Sequence, residues 1–497
     1  MTRGAIISGP KSREYEAMKP ADYPMDPAHL WEHFYQISQI PRPSKQEVAV
    51  RQYVIDQAEG LGFPYQLDGE GNIVIRVPPS SGREDRPVVI VQNHLDMVTV
   101  KTSDKEHDFE RDPLTLEVKD GWLSADRTTL GADNGLGCAA ALALMTDPDV
   151  ERPPLELLFT VDEETGLGGA LNLDGAMLGG QLMLNLDTED WHELYIGCAG
   201  GGGWEFTRSF APEAVAPGME CWAIDIRGLA GGHSGIQIHQ QLGNAVKLLA
   251  EYLREVEGLC LAAIDVGIAH NVIPREGRVE FCCPAGRGDQ LQALLEQCLQ
   301  RWLDYLPEAD RELSLTLQPA ALGQALDEVD SHRVLDLAAA FPHGAQAYSL
   351  EQPADLVDLS INLAILRLAA GELFLEASYR FFNEDQAAPL EQGVLALARA
   401  FDLDVAPVVG YPGWQPDFDS ALLARGKALH QRLFGHEPAV KAIHAGLECG
   451  ILKSKKPDVD ILSFGPTIRG AHSPTERLEI GTVAPFWQFL TALLEET

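Results

Sequence analysis

The sequence predicts an α/β protein: a domain on a central, mainly parallel sheet, with an α+β unit inserted into it. Three observations carry this. From Pro27 to about residue 200, short β-branched runs alternate with segments of helical apolar spacing. A glycine cluster, Gly197 and Gly200 to Gly203, ends that rhythm, and strand runs of a different texture follow. Near Asp404 the first texture returns. The expected division is an N-terminal extension over 1–26, a first domain in two parts over 27–200 and 405–497, and an inserted unit over 201–404. A chain of 497 residues is long enough for two cores.

In the first part, Leu30 to Ile37 and Gln46 to Leu61 have the spacing of helices, and Leu136 to Met145 is an Ala/Leu-rich helix. Ile73 to Val77, Pro87 to Gln92, Leu155 to Thr160 and Leu182 to Leu186 are short apolar runs, the pattern of strands buried on both faces. In the inserted unit, strands are expected at Cys221 to Arg227, Leu261 to Ile268, Gly277 to Cys283, Ile361 to Leu368 and Leu373 to Phe381. Helices are expected at Ala245 to Val256, Leu291 to Leu306 and Leu390 to Ala400. The closing part offers helices at Ala421 to Leu433 and Val483 to Leu494 around a strand at Val459 to Ser463.

Composition narrows the function. Asp and Glu number 74 against 38 Lys and Arg, a formal charge of -36. So acidic a surface repels phosphate backbones and anionic lipid, which argues against nucleic-acid and membrane partners. No apolar run is long enough for a membrane span and the N-terminus lacks a secretory h-region, so a cytoplasmic protein is expected. The eight cysteines form no C-x-x-C pair, which predicts reduced, mostly buried thiols.

Five places concentrate chemistry. A strand runs into His94 and Asp96, whose side chains point the same way in extended backbone; Asp96 could fix the His94 tautomer, or the two could be an ordinary strand-end polar pair. Asp133 sits in a Gly-rich turn before a helix, where an N-cap is the common use of an acid. The strand ending at Thr160 leads to Asp162, Glu163 and Glu164, three like charges that are costly to crowd without a cation. Asp187 follows another strand and singly is equally a solvated strand-end acid, whereas His472, in a Gly/Pro loop after the last strand, is singly more often plain surface. Jointly, His94, Asp133, Glu164, Asp187 and His472 could converge on one edge of the sheet. Their imidazole and carboxylate donors, without thiolate, suit Zn²⁺, with Mn²⁺ or Co²⁺ as substitutes.

The segments NHLDM, TLGADNG, DEETG, NLD and HSP resemble those of the co-catalytic zinc peptidase superfamily. Further stretches are similar to the bacterial aminoacyl-histidine (Xaa-His, β-alanyl-histidine) dipeptidases: HDFERDP at 107–113, IGCAGG at 196–201, GLAGGHSG at 228–235, NVIPRE at 271–276, GYPGWQPD at 410–417 and HAGLECG at 444–450. The resemblance covers nearly everything after the N-terminal extension. It implies two Zn²⁺ per subunit, with Asp133 bridging, His94 and Asp187 on one ion, and Glu164 and His472 on the other. It implies Glu163 as general base and acid, and Asp96 as the residue orienting His94. It further implies that the inserted unit is a lid that supports a homodimer, that His233 of the HSG motif helps hold the oxyanion, and that Asn271 and Arg380 bind substrate amide and carboxylate groups. Arg380, in an apolar strand, could equally form a salt bridge. Gly-rich junctions near 197–203 and 410 are expected as hinges. The expected activity is hydrolysis of Xaa-His dipeptides such as β-Ala-His. The alternatives are an N-acyl amino acid deacylase or a metallo-carboxypeptidase on the same scaffold, or a non-catalytic metal-stabilised binding protein.

Overall fold

Strands Val89–His94 and Leu155–Thr160 are buried at every position, as a sheet covered on both faces requires. They pair in parallel, and Val89–His94 pairs in parallel with Leu182–Asn185 on its other side. Leu182–Asn185 in turn takes Asp460–Ser463 as a parallel neighbour. The eight strands run in the order Tyr65–Leu67, Ile73–Val77, Leu155–Thr160, Val89–His94, Leu182–Asn185, Asp460–Ser463, Glu193–Cys198 and Ala439–Ile443. The centre is parallel, and antiparallel pairing is confined to its flanks. This is the α/β architecture expected. The computed structural model describes residues 19–350 and 356–497.

The chain divides into two units. The first comprises the chain to Ile196, Phe418–Lys441 and Lys455–Thr497; the second comprises Gly197–Asp417 and Ala442–Ser454. The sequence places the second junction at 404, but the chain stays in the second unit to Asp417. The reason is pairing: Asp404–Tyr411 is a strand hydrogen-bonded to Gly200–Ser209.

In the first unit, helix Ala132–Thr146 is buried along almost its whole length, and its small residues let helix Ala28–Ser38 pack against it. Of the N-terminal extension, residues 1–18 lie outside the described residues. Its end is not a loose tail: Tyr23 is buried, its hydroxyl donates to the Trp31 carbonyl, and its ring meets those of Trp31 and Tyr35 edge-on.

The second unit is a nine-stranded sheet, and every recorded pairing in it is antiparallel. Helices Ala245–Arg254, Gly288–Tyr305 and Glu328–Ala340 contribute Tyr252, Trp302 and Leu337 to its core, beside Phe206, Phe281 and Phe341. The boundary between the units falls at Ile196/Gly197, at the start of the glycine-rich junction expected near 197–203, and Gly200 to Gly203 themselves lie in strand Gly200–Ser209, paired on both edges. Close approach explains the glycines: a Cβ on Gly200 would fall 2.4 Å from the Gly413 nitrogen. Gly410 likewise lies within a strand.

The cysteines depart from expectation at one point. Cys221 and Cys282 face each other across neighbouring antiparallel strands and are joined as a disulfide. The other six are free, five of them buried. Among the described residues, no helix is long and apolar enough to cross a membrane.

Candidate metal centre

Three neighbouring parallel strands end at one edge of the first unit's sheet, each delivering chemistry there. Val89–His94 ends in the buried His94, Leu155–Thr160 leads to Glu164, and Leu182–Asn185 leads to Asp187. Such strand ends are where open α/β sheets hold ligands. Asp133 comes from the start of helix Ala132–Thr146, where its own φ/ψ and that of Asn134 are not helical. His472 completes the group from a loop residue at φ 62°, a left-handed conformation that non-glycine residues hold only when the surroundings enforce it. The loop leading to it passes close to Asp187: a Cβ on Gly465 would lie 1.7 Å from the Thr188 carbonyl oxygen.

The two oxygens of Asp133 face different partners. Oδ1 lies 3.1 Å from His94 Nε2, which is also 3.3 Å from Asp187 Oδ1. Oδ2 lies 3.2 Å from His472 Nε2, which is also 3.0 Å from Glu164 Oε2. Ligands about 2.0–2.1 Å from a tetrahedral Zn²⁺ are separated by roughly 3.3 Å. Each trio therefore has donor separations close to a coordination edge, and Asp133 belongs to both. Glu164 Oε1 is buried and makes no hydrogen bond, another mark of a cation-holding oxygen. The donors fit a pair of divalent cations.

Charge in the ion-free chain is distributed accordingly. Burial opposes protonation of His94, but the carboxylates of Asp187, Asp133 and Asp96 hold its imidazole well above the usual range. Hydrogen bonds to Asp133 and Glu164 push His472 up to about 11. Burial works against the charge of Asp133, yet hydrogen bonds from His472 and His94 hold it well below the usual carboxylate range. Burial raises Asp187, and burial with Asp133 nearby pushes Glu189 up to about 8. Protonated imidazoles thus sit among acids that would otherwise repel one another. Cations bound there would displace those protons.

Asp96 does more than face His94. Its Oδ1 lies 3.4 Å from His94 Nδ1, Ser44 donates to it at 2.7 Å, and it accepts the backbone N–H groups of Glu163 at 3.1 Å and Glu164 at 3.2 Å. One buried carboxylate therefore aims the imidazole and anchors the two-acid turn. Of the three consecutive acids, Asp162 is turned aside: it sits at φ 52° and takes a hydrogen bond from the Thr165 hydroxyl. Glu164 faces His472, and Glu163 is carried beside the centre on the turn that Asp96 holds.

Sequence reasoning missed the residues that brace this centre. Glu476, buried, accepts the backbone N–H groups of Leu130, Gly131, Ala132 and Asp133 at 2.7–3.3 Å, fixing the turn that presents Asp133. Burial pushes its carboxyl up to about 7. Arg42, also buried, donates to the Leu95 and Asp96 carbonyls at 2.9 and 2.7 Å and to that of Gly131. Asn134 donates to the Leu186 carbonyl at 2.9 Å and to Asp187. The only sequence signal for Glu476 was an acid four positions after His472, and Arg42, between two prolines, gave none.

His233, Asn271 and Arg380 lie in the second unit. The Gly232–His233 strand pairs with Val272–Ile273, and the Ser234 N–H donates to the Asn271 carbonyl at 2.9 Å. His233 Nδ1 accepts the N–H groups of Gly235 and Ile236 at 3.2 and 3.1 Å, which leaves the ring proton on Nε2. A Cβ on Gly235 would lie 2.9 Å from Arg380 Cδ and 1.9 Å from the His444 carbonyl oxygen, so these segments meet. Arg380 Nη1 donates to the Tyr411 hydroxyl at 3.0 Å, its Nε is buried without a partner, and among the described residues no carboxylate pairs with it.

A sheet-edge cluster of imidazoles and carboxylates with a shared central aspartate defines a metallopeptidase-type site, and the chain belongs to the peptidase family M20/M25/M40, whose model matches residues 90–496. It is 37% identical over 476 residues to the cytosol non-specific dipeptidase of Escherichia coli (strain K12), covering 95% of this chain and 98% of that one. It is also similar to the crystal structure of aminoacylhistidine dipeptidase from Vibrio alginolyticus, at 35% identity and a TM-score of 0.85, covering 95% of this chain and 96% of that one. Human carnosine dipeptidase 1 shares the fold at 13% identity and a TM-score of 0.51, covering 94% of this chain and 95% of that one.

Proposed function

We propose that this chain is a cytoplasmic dipeptidase that hydrolyses Xaa-His dipeptides, β-Ala-His among them, with two Zn²⁺ ions held by His94, Asp133, Glu164, Asp187 and His472. One observation carries the reading: two donor trios share Asp133 through its separate oxygens, with the backbone of Glu163 anchored to Asp96 next to Glu164. The similarity to an aminoacylhistidine dipeptidase and to a non-specific dipeptidase supports the substrate class; the second relative's cytosol name supports the compartment.

Held by these residues, Zn²⁺ would supply Lewis-acid polarisation of the scissile carbonyl and would lower the pKa of a bound water. Glu163 takes the proton from the attacking water and passes it to the leaving amine. Asp96 keeps His94 aimed and, through the backbone N–H groups of Glu163 and Glu164, keeps the base in place. For recognition we assign His233 as an Nε2–H donor to the developing oxyanion, Arg380 to the substrate carboxylate and Asn271 to a substrate amide. Hydrogen-bond donors fixed before the reaction stabilise charge without reorganisation. The inserted unit is assigned a lid role and a homodimer contact, which scattering with and without inhibitor and sedimentation would measure.

The deciding experiment assays β-Ala-His, Gly-His, Ala-Ala and an N-acetyl amino acid with chelator and with Zn²⁺ restored. Turnover of the dipeptides, abolished by chelator and recovered with Zn²⁺, is expected. Cleavage of the N-acetyl amino acid alone would replace this reading with a deacylase.

A further inference from the structure

A second group of metal-type donors lies in the first unit, apart from the residues that carry the centre. His192, His430 and His436 each offer a ligand atom within 4.8 Å of the others. Their rings are close on every side, with centroids 5.1 Å apart for His192 and His430, 4.5 Å for His192 and His436, and 5.0 Å for His430 and His436. The chain goes to some length to gather them. His192 sits at φ 73°, and Gly435, at φ 82°, ends helix Ala421–Phe434 and turns the chain so that His436 returns toward His430.

Hydrogen bonds set the tautomer of the central ring. His430 Nδ1 lies 2.9 Å from the His436 carbonyl oxygen and donates to it, which leaves Nε2 as an acceptor. That Nε2 lies 2.9 Å from His192 Nδ1. A metal-bound histidine characteristically donates its other N–H to a backbone carbonyl in this way. His436 Nδ1 lies 3.2 Å from the Glu437 carbonyl oxygen, a second contact of the same kind. The exposures are graded as well: His430 is buried, His192 half-buried and His436 exposed, so one side is open to solvent. Aromatic rings of Trp191, Phe434 and Phe489 wall the cluster.

We propose that His192, His430 and His436 form a further metal site, for one Zn²⁺ ion bound by three imidazoles with a solvent molecule in the fourth position. Three neutral nitrogens without thiolate or carboxylate suit Zn²⁺ and its neighbours Cu²⁺ and Ni²⁺, not Mg²⁺ or Ca²⁺. The ion would tie the loop that carries Asp187 and Glu189 to the end of helix Ala421–Phe434. The proposal does not depend on the function assigned to the Asp133 centre.

The test uses full-length protein stripped with chelator, re-equilibrated with Zn²⁺ and analysed for bound metal. Wild type, His436→Ala, His192→Ala and Asp133→Ala are compared. His436→Ala, at an exposed position, and His192→Ala are expected to hold one ion fewer than wild type, or to bind it at least about tenfold more weakly. Asp133→Ala is expected to keep this ion, and adding His436→Ala to it is expected to remove one bound ion or weaken its binding by at least about tenfold. If Asp133→Ala does not fold, His472→Ala replaces it. Equal metal content and affinity in wild type and both histidine variants would overturn the proposal and leave an aromatic packing cluster.

Discussion

The two units present opposite chemistry. The first gathers Asp96, Asp133, Glu164, Asp187 and Glu189 around two imidazoles, and those imidazoles are held in the charged form. The second gathers Arg380, His233 and His444, and there burial, with Arg380 and His233 nearby, pushes His444 down to about 3. The first collection is crowded with carboxylates, whereas the second holds one guanidinium, Arg380, beside an imidazole kept neutral. The first is suited to attract cations and the second to receive an anionic group. On the proposed function the acids serve the reaction and Arg380 serves recognition, so variants in the two should fail in different ways.

The largest effect is expected at Glu163. Glu163→Gln should lose about 10²–10⁴ of kcat, the range for general acid–base catalysis, while metal content and KM stay near wild type. Full activity in this variant would remove the first unit's claim to the proton transfers. Arg380→Ala should act differently, raising KM by roughly 10–100-fold with a smaller change in kcat, as expected when a charge-assisted hydrogen bond worth about 1.5–3 kcal/mol is lost. Steady-state kinetics on β-Ala-His separates the cases; a kcat defect without a KM defect at Arg380 would erase the contrast.

A smaller effect is expected at Glu476, which touches no ligand atom. Its carboxylate accepts four backbone N–H groups in the turn before Asp133. Glu476→Gln keeps the size but loses much of that acceptor capacity, and should weaken Zn²⁺ binding by roughly 10–100-fold, the range for outer partners of metal ligands. Competition with a chelating dye measures it. Unchanged affinity would mean the turn holds itself without the acid.

The contrast also explains what the sequence made legible. The strands were readable because Val89–Val91 and Leu157–Phe159 are short apolar runs at the heart of Val89–His94 and Leu155–Thr160, and the donors were readable because each lies at or shortly after such a strand or in a Gly-rich turn. Arg42 and Glu476 were not, since their work is hydrogen bonding to backbone distant in sequence, which leaves no local pattern. The glycines of 200–203 mark the unit boundary just before them, but their pairing was hidden for a related reason. Glycine commonly marks a bend, but here it permits the close approach of neighbouring strands. Arg380 was ambiguous between salt bridge and ligand group, and only the absence of a carboxylate partner among the described residues removes the first option.

The last expected effect concerns acid and touches stability, not turnover. His444 Nε2 lies 2.7 Å from the Ser360 hydroxyl in a buried site, and its folded pKa lies below that of an unfolded histidine. The unfolded chain therefore takes up a proton that the folded chain refuses. The stability His444 contributes is complete above about pH 6.5 and is lost as the pH falls toward 3. At pH 4.5 the loss is on the order of 3 kcal/mol. His472 in the ion-free protein has the opposite sign: its contribution is complete below about 6.5 and declines as the pH rises toward 11. Urea unfolding of chelator-treated protein at pH 7 and 4.5 reads the first sign. His444→Gln should flatten that pH dependence by about 3 kcal/mol, whereas the same slope in variant and wild type would show that the histidine of the second unit is not held neutral.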